Sequence, residues 1–240
     1  PLRDGEYLTA DGTTLGSDNG IGVAAMLAVM EATDLVHGPL ELLFTIDEET
    51  GLTGAAKLDA TLLSAKLLIN LDSEEEGALT VGCAGGAHTD LTLTLDTIPA
   101  PANATAHTVK LFGLNGGHSG VDIHLQRGNA VQLLARMLLA AGQPGFIAAI
   151  EGGNKHNAIP REASATLVIP KGAAGDFFAR LDAQFKSVKA EFSVPEPGME
   201  MRVDEAPAPG SVWSADASVR ILRLLVALPH GVAAMSNDIP

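Results

Sequence analysis

Two kinds of apolar pattern follow one another along the chain. In the first third the apolar residues come in near-continuous blocks: Gly20–Ala32, Leu40–Ile46 and Lys66–Leu71. The long block predicts a buried helix. The two short blocks, the first preceded by Gly38-Pro39, predict strands covered on both faces. A further helix is expected over residues 53–63. Strand, helix and strand without alternation suit an α/β sheet.

The pattern changes after Gly82-Cys83-Ala84-Gly85-Gly86, which reads as a domain boundary and divides the chain into 1–84 and 85–240. Leu91, Leu93 and Leu95 alternate with polar residues, the mark of a strand with one wet face, and Pro99 and Pro101 end the run. Strands are then expected at 107–114, 146–151, 163–169 and 199–203. Helices are expected at 129–141 and 176–192, the second amphipathic through Phe177, Phe178, Leu181, Phe185 and Val188. After Pro207 and Pro209 a last helix is expected over 215–228. The second part is therefore an α+β module of antiparallel strands backed by helices.

Composition narrows the partners. The chain has 240 residues, 46% hydrophobic and 18% charged, with a net charge of −14. That balance argues for a folded chain and against nucleic acid as a partner. No apolar run approaches the ~20 residues of a membrane span, so no membrane partner is expected. A single cysteine, Cys83, cannot form an internal disulfide, which points to a reducing, cytoplasmic setting. The charge is uneven: residues 1–84 hold 15 acidic and 3 basic residues, residues 85–240 hold 14 and 12.

Three of the acidic sites fall just beyond expected strand ends or before a helix, where α/β enzymes place their chemistry. Asp18 lies in Gly16-Ser17-Asp18-Asn19-Gly20, Glu48 and Glu49 follow Ile46-Asp47, and Asp72 follows Asn70-Leu71. Carboxylates gathered this way must be neutralised by protons or cations, and divalent metals would use them as ligands. In extended backbone Glu48 and Glu49 point to opposite sides, which suits one metal ligand and one proton acceptor. The competing reading makes Asp18 a helix N-cap and leaves the Glu pair and Glu74–Glu76 as solvated turns. A dinucleotide fold is a poorer fit. Gly20-Ile21-Gly22-Val23-Ala24-Ala25 has the G-x-G-x-x-A form, but a weak strand precedes it and Asp18 would meet the pyrophosphate.

In combination these residues resemble the co-catalytic di-zinc exopeptidases, most closely the bacterial cytosolic aminoacyl-histidine dipeptidases. The resemblance rests on Gly12–Gly22, Asp47–Gly51 and Asn70–Gly77, together with Gly116-Gly117-His118-Ser119-Gly120, Asn157–Glu162 and Pro229-His230-Gly231-Val232. It implies an α/β catalytic domain, present in part, with an inserted α+β lid domain. It also implies hydrolysis of Xaa-His dipeptides with two zinc ions in the complete enzyme, other divalent metals being admissible. Asp18 would bridge the metals, with Glu49 ligating one and Asp72 the other. Glu48 would be the general base acting on a zinc-bridged water. His118 would be the lid histidine that steadies the oxyanion, and Asn157 would contact the substrate. Arg161 is the candidate for the substrate carboxylate.

Two histidine ligands of that family have no counterpart here, and the lid strand ends Ile169-Pro170-Lys171 where many relatives carry an Asp-x-Arg. His37, His88, His107, His124, His156 and His230 are expected to be structural or on the surface. The chain thus reads as a central fragment, and a truncated sheet would expose apolar edges, with a homodimer as the candidate partner. The alternative is a non-catalytic fragment or assembly module that needs further segments for activity. Cys83 is expected as a small buried side chain, and Trp213 as packing for the last helix.

Overall fold

The computed structural model describes residues 2–12, 18–49, 51–73, 77–82, 85–142 and 145–235. The expectations for Cys83 and for Glu74–Glu76 lie outside the described residues, as does most of the Gly-Thr-Thr-Leu-Gly segment. The chain divides into two compact units, Pro1–Thr89 and Asp90–Pro240, and each has its own logic.

The first unit opens with a hairpin of β1 (Leu2–Asp4) and β2 (Tyr7–Thr9), turned by Gly5 at φ +61°. Helix α1 (Gly20–Glu31) follows where the apolar block predicts a helix, but it is not the buried one expected, since Gly22 is its one buried residue. Its cap is Asn19, whose Oδ1 accepts from the Gly22 N–H at 2.8 Å, so Asp18 is not the cap.

The helix expected over 53–63 is broken into α2 (Thr53–Ala56) and a 3-10 turn at Ala60–Leu62. The reason is local. Asp59 accepts from the Thr61 N–H at 2.9 Å and from its hydroxyl at 2.7 Å, a side-chain cap that competes with helix continuation.

Neither residues 40–46 nor 66–71 form strands. A buried parallel strand needs a hydrogen-bonded neighbour and cover on both faces. Among the described residues no strand lies beside these segments, and Leu67, Leu68 and Ile69 stay 90%, 84% and 84% exposed. Glu41 of the first segment accepts from the Ser64 N–H and hydroxyl and from the Ala65 N–H, just ahead of the second.

The second unit is built on a four-stranded antiparallel sheet. It contains β4 (Ala104–Phe112), β6 (Phe146–Gly152), β8 (Ala163–Pro170) and β9 (Glu200–Glu205), in the order β6-β8-β4-β9. Strict alternation carries Val109 and Leu111 of β4, and Ala165, Leu167 and Ile169 of β8, into one core. Three helices pack into the same core, α3 (Ala130–Ala140), α4 (Ala174–Glu191) and α5 (Ala215–Ala227), joined by Ile147 of β6 and by Leu114 and Met199. Asn129 caps α3 by accepting from Val131 and Gln132, and Ser214 caps α5.

From α4, Phe177, Leu181 and Val188 are fully buried, each worth about 1.5–3 kcal/mol relative to exposure. Phe178 instead stands edge-on to His107 at 4.9 Å.

The alternating run at 91–95 forms no strand. Only Thr97–Pro99 (β3) finds a partner, in Ser211–Trp213 (β10). Trp213 packs against the core that includes Leu222 of α5. A last two-residue pairing, Gly117–His118 (β5) with Ala158–Ile159 (β7), lies outside the main sheet.

Candidate active site

In the first unit the four carboxylates lie on irregular backbone. Asp18 precedes the Asn19 cap of α1 across a cis Asp18–Asn19 peptide. Glu48 and Glu49 sit in a tight turn rather than on an extended strand. Asp47 has φ +56°, and the carbonyl of Glu48 accepts from the N–H groups of Gly51 and Leu52. The tightness has a cause beyond the turn: α2 begins against the backbone of Ile46, where a Cβ on Gly54 would lie 2.5 Å from the Ile46 oxygen. Extended backbone therefore does not splay the Glu pair as the sequence leads one to expect.

The turn brings charge together. Partial desolvation, then the charges of Glu49, Asp72 and Asp18, raise the Glu48 carboxyl above its ordinary value. These four groups therefore share one electrostatic neighbourhood. They do not form a closed ligand shell: among the described residues no three His, Cys, Asp or Glu side chains are gathered closely enough to hold an ion. The excess of negative charge and the hard oxygen donors fit a divalent cation. The preformed geometry of a complete site is not supplied by these residues alone.

In the second unit the structure brings His118, Asn157 and Arg161 to the wall of one cavity of about 880 Å³. Lys110, Glu151 and Lys155 line it as well. The β5–β7 pairing is what joins them, because it sets His118 opposite Ala158, and the Ser119 N–H donates to the Asn157 carbonyl at 2.8 Å. Lys110 is committed to Glu162 at 2.8 Å, and that hydrogen bond, with the lysine charge, holds Glu162 below its ordinary value.

The ring of His118 has a defined polarity. Its Nδ1 accepts from the N–H groups of Gly120 (3.0 Å) and Val121 (3.1 Å). The ring proton therefore sits on Nε2, which is left as a donor. The backbone under the ring is fixed by an ion pair that the sequence pattern does not single out. Asp122 accepts from the His118 N–H at 2.8 Å and pairs with Arg127 at 3.3 Å, while Arg127 donates to the Gly116 carbonyl at 2.7 Å. Gly117 has φ +136°, and a Cβ there would lie 2.3 Å from Arg127 Nη1 and 2.6 Å from Asp122 Oδ2. Only glycine fits. The one cue in the sequence is an acid four residues after the histidine.

Of the other histidines, His230 has a structural role, its Nε2 standing 3.0 Å from the Arg127 carbonyl oxygen. His107 packs on Phe178.

Comparison with known proteins places this geometry in context. Residues 11–134 match the model of peptidase family M28, and residues 109–192 match a peptidase dimerisation domain. The chain is similar to the cytosol non-specific dipeptidase of Escherichia coli, 40% identical over 239 residues, which are 99% of this chain and 49% of that protein. It is also similar to peptidase T of Vibrio parahaemolyticus, 37% identical over 83 residues, 32% of this chain and 20% of that one. Among solved structures, the aminoacylhistidine dipeptidase of Vibrio alginolyticus aligns with TM-score 0.74 and 39% identity, covering 100% of this chain and 49% of that one. The chain thus spans about half the length of the two dipeptidases.

Proposed function

We propose that this chain, which belongs to peptidase family M28, carries working residues of a metal-dependent dipeptidase that acts on Xaa-His substrates in the cytoplasm. The proposal concerns the whole protein, and a homodimer is its assembly, in keeping with the dimerisation-domain match. One observation carries it: Glu48 sits among Glu49, Asp72 and Asp18, and partial desolvation, then their charges, raise its carboxyl above the ordinary value. A carboxyl raised above its ordinary value holds a proton more readily, which suits a general base.

Asp18, Glu49 and Asp72 are the residues that would hold the metal, proposed as two zinc ions. Bound there, the ions would supply Lewis acidity toward the scissile carbonyl and make water acidic enough to deprotonate. Glu48 accepts the proton of the attacking water and returns it to the nitrogen of the leaving amine, so the proton count closes. His118 donates from Nε2 to the oxygen on which negative charge develops, a role that its Nδ1 acceptor contacts favour. Asn157 and Arg161, on the wall of the same cavity as His118, orient the substrate backbone and carboxylate.

The test is metal content and Xaa-His hydrolysis by the whole protein and by the 240-residue chain, each beside its Glu48→Gln variant. The expected result for the whole protein is unchanged metal with turnover down about 10²–10⁴-fold in the variant. Hydrolysis that survives metal removal, or a fully active Glu48→Gln protein, would overturn the reading.

A further inference from the structure

The loop that carries His118 starts and ends on one buried carboxylate. Glu196 is 0% exposed, and both its oxygens are used. Oε2 accepts from the Asn115 N–H at 2.7 Å, and Oε1 accepts from the Gly128 N–H at 2.7 Å. Asn115 lies three residues before His118, and Gly128 directly precedes the Asn129 cap of α3. One side chain therefore closes residues 115–128 into a ring at its base. A second bond reinforces the entry, where the Asn115 side chain donates to the Pro195 carbonyl at 2.6 Å.

Burying a carboxylate is costly unless charge-assisted hydrogen bonds compensate it. Two short N–H donors drawn from distant points of the chain do so, and they tie the group to this position. Its environment is shaped to admit it. A Cβ on Gly128 would lie 2.9 Å from Leu133 Cδ1, 3.0 Å from Leu114 Cδ2 and 3.4 Å from Glu196 Cγ. The 193–199 turn reaches the loop through a backbone-to-backbone crossing: a Cβ on Gly113 would lie 2.1 Å from the Gly198 oxygen, and one on Gly198 would lie 2.8 Å from the Gly113 oxygen. Inside the ring, the Asp122–Arg127 pair then sets the local pose of His118.

We infer that Glu196 is a positioning residue: by clamping both roots of the 115–128 loop it fixes where His118 Nε2 points. The clamp itself follows from the structure, and only its effect on turnover rests on the dipeptidase reading. In Glu196→Gln the amide oxygen keeps one N–H, while the amide nitrogen confronts the other with a second donor.

The first readout is amide hydrogen exchange in the 240-residue chain, with Ser218→Ala as a control. Ser218 is buried and accepts from Ile147 N–H at 3.1 Å in the same unit. The expected result is exchange at residues 116–121 faster by about tenfold or more in Glu196→Gln, with Val109 and Leu167 changed by less than about twofold. The second readout is kinetics of the metal-loaded whole protein. There kcat should fall about 10- to 100-fold with metal content kept and KM little changed, because the donor matters most in the transition state.

Loop amides that keep parental protection overturn the clamp, and so does a loosening that Ser218→Ala reproduces at equal loss of melting temperature. A freed loop with unchanged kcat overturns the positioning role. An inactive parent sinks the dipeptidase reading, while the exchange result still decides the clamp. Should Glu196→Gln not fold, Glu196→Asp, which keeps the charge but is too short to reach both N–H groups, is read in the same way.

Discussion

In the second unit Leu134, Leu138, Ile147 and Leu167 are all 0% exposed, while in the first Ile21, Leu67, Leu68 and Ile69 stand between 77% and 90% exposed. Both stretches are rich in apolar residues. What differs is the kind of demand their patterns make. In the second unit the main core draws on one face or stripe of each element, through alternation in β4 and β8 and through the Phe177, Leu181, Val188 spacing in α4, while Ala106 and Val168 on the other face of the sheet form only a small cluster with Val212. One layer of helices on one face of one sheet satisfies that demand. In the first unit α1 and the 40–46 and 66–71 blocks are apolar all round and require cover on every side. Among the described residues of that unit the only buried one in α1 is Gly22. The form of a hydrophobic pattern thus states how many neighbours an element needs, and the two units differ in how many they have. No helix among the described residues is long and apolar enough to cross a membrane.

The contrast can be broken most sharply by hydrogen exchange. Amides of residues 66–71 should exchange at least about 10³-fold faster than those of Val109 and Leu167 in the same sample, because local opening of an unpaired segment costs almost nothing. Equal protection in both would end the comparison. A smaller effect sharpens it. Leu134→Ala should cost about 2–5 kcal/mol in a urea titration followed through Trp213 fluorescence, by cavity formation in the core. Leu68→Ala should change the same transition by less than about 0.5 kcal/mol.

The smallest effect lies at the surface between α3 and α4. Arg136 pairs with Glu191, and that hydrogen bond lowers the Glu191 carboxyl below its ordinary value. The sign follows from linkage. The pair contributes fully above the unfolded carboxyl value, and the contribution is lost as pH falls through the lowered folded value. Both side chains are well exposed, so the gain is no more than about 0.5 kcal/mol after screening. Glu191→Gln should therefore lower stability slightly at pH 7 and converge with the parent in acid, as read by thermal melts across pH 2–7.

Much of the second unit is legible in the sequence because its signals are local and periodic. The start of α3 at the Asn129 cap, the Phe-rich stripe of α4 and the alternation of β8 each announce themselves without knowledge of a partner. The strands expected at 40–46, 66–71 and 91–95 show the limit, since a pattern can specify a strand for which the described residues offer no pairing neighbour. The two-residue pairing of Gly117–His118 with Ala158–Ile159 is too short to leave a periodic trace, yet it is what brings His118 and Asn157 together. Residue chemistry flags Asp18, Glu48, Glu49 and Asp72, and the structure adds that they perturb Glu48. Glu196 is invisible from the sequence, as a glutamate between two prolines reads as a solvated turn and charged residues are seldom fully buried.

The facing glycines at 113 and 198 carry a consequence for how this protein can vary. Most tight contacts between two side chains can be retuned, because shrinking one makes room for growth in the other. Here both partners already have the smallest possible side chain, and each Cβ position points at the other's carbonyl oxygen. A change at either site has no reciprocal change that could relieve it, since nothing remains to be removed. The crossing is a dimension with zero slack, and the reach of the 193–199 turn toward the histidine loop is inherited from it as a fixed length.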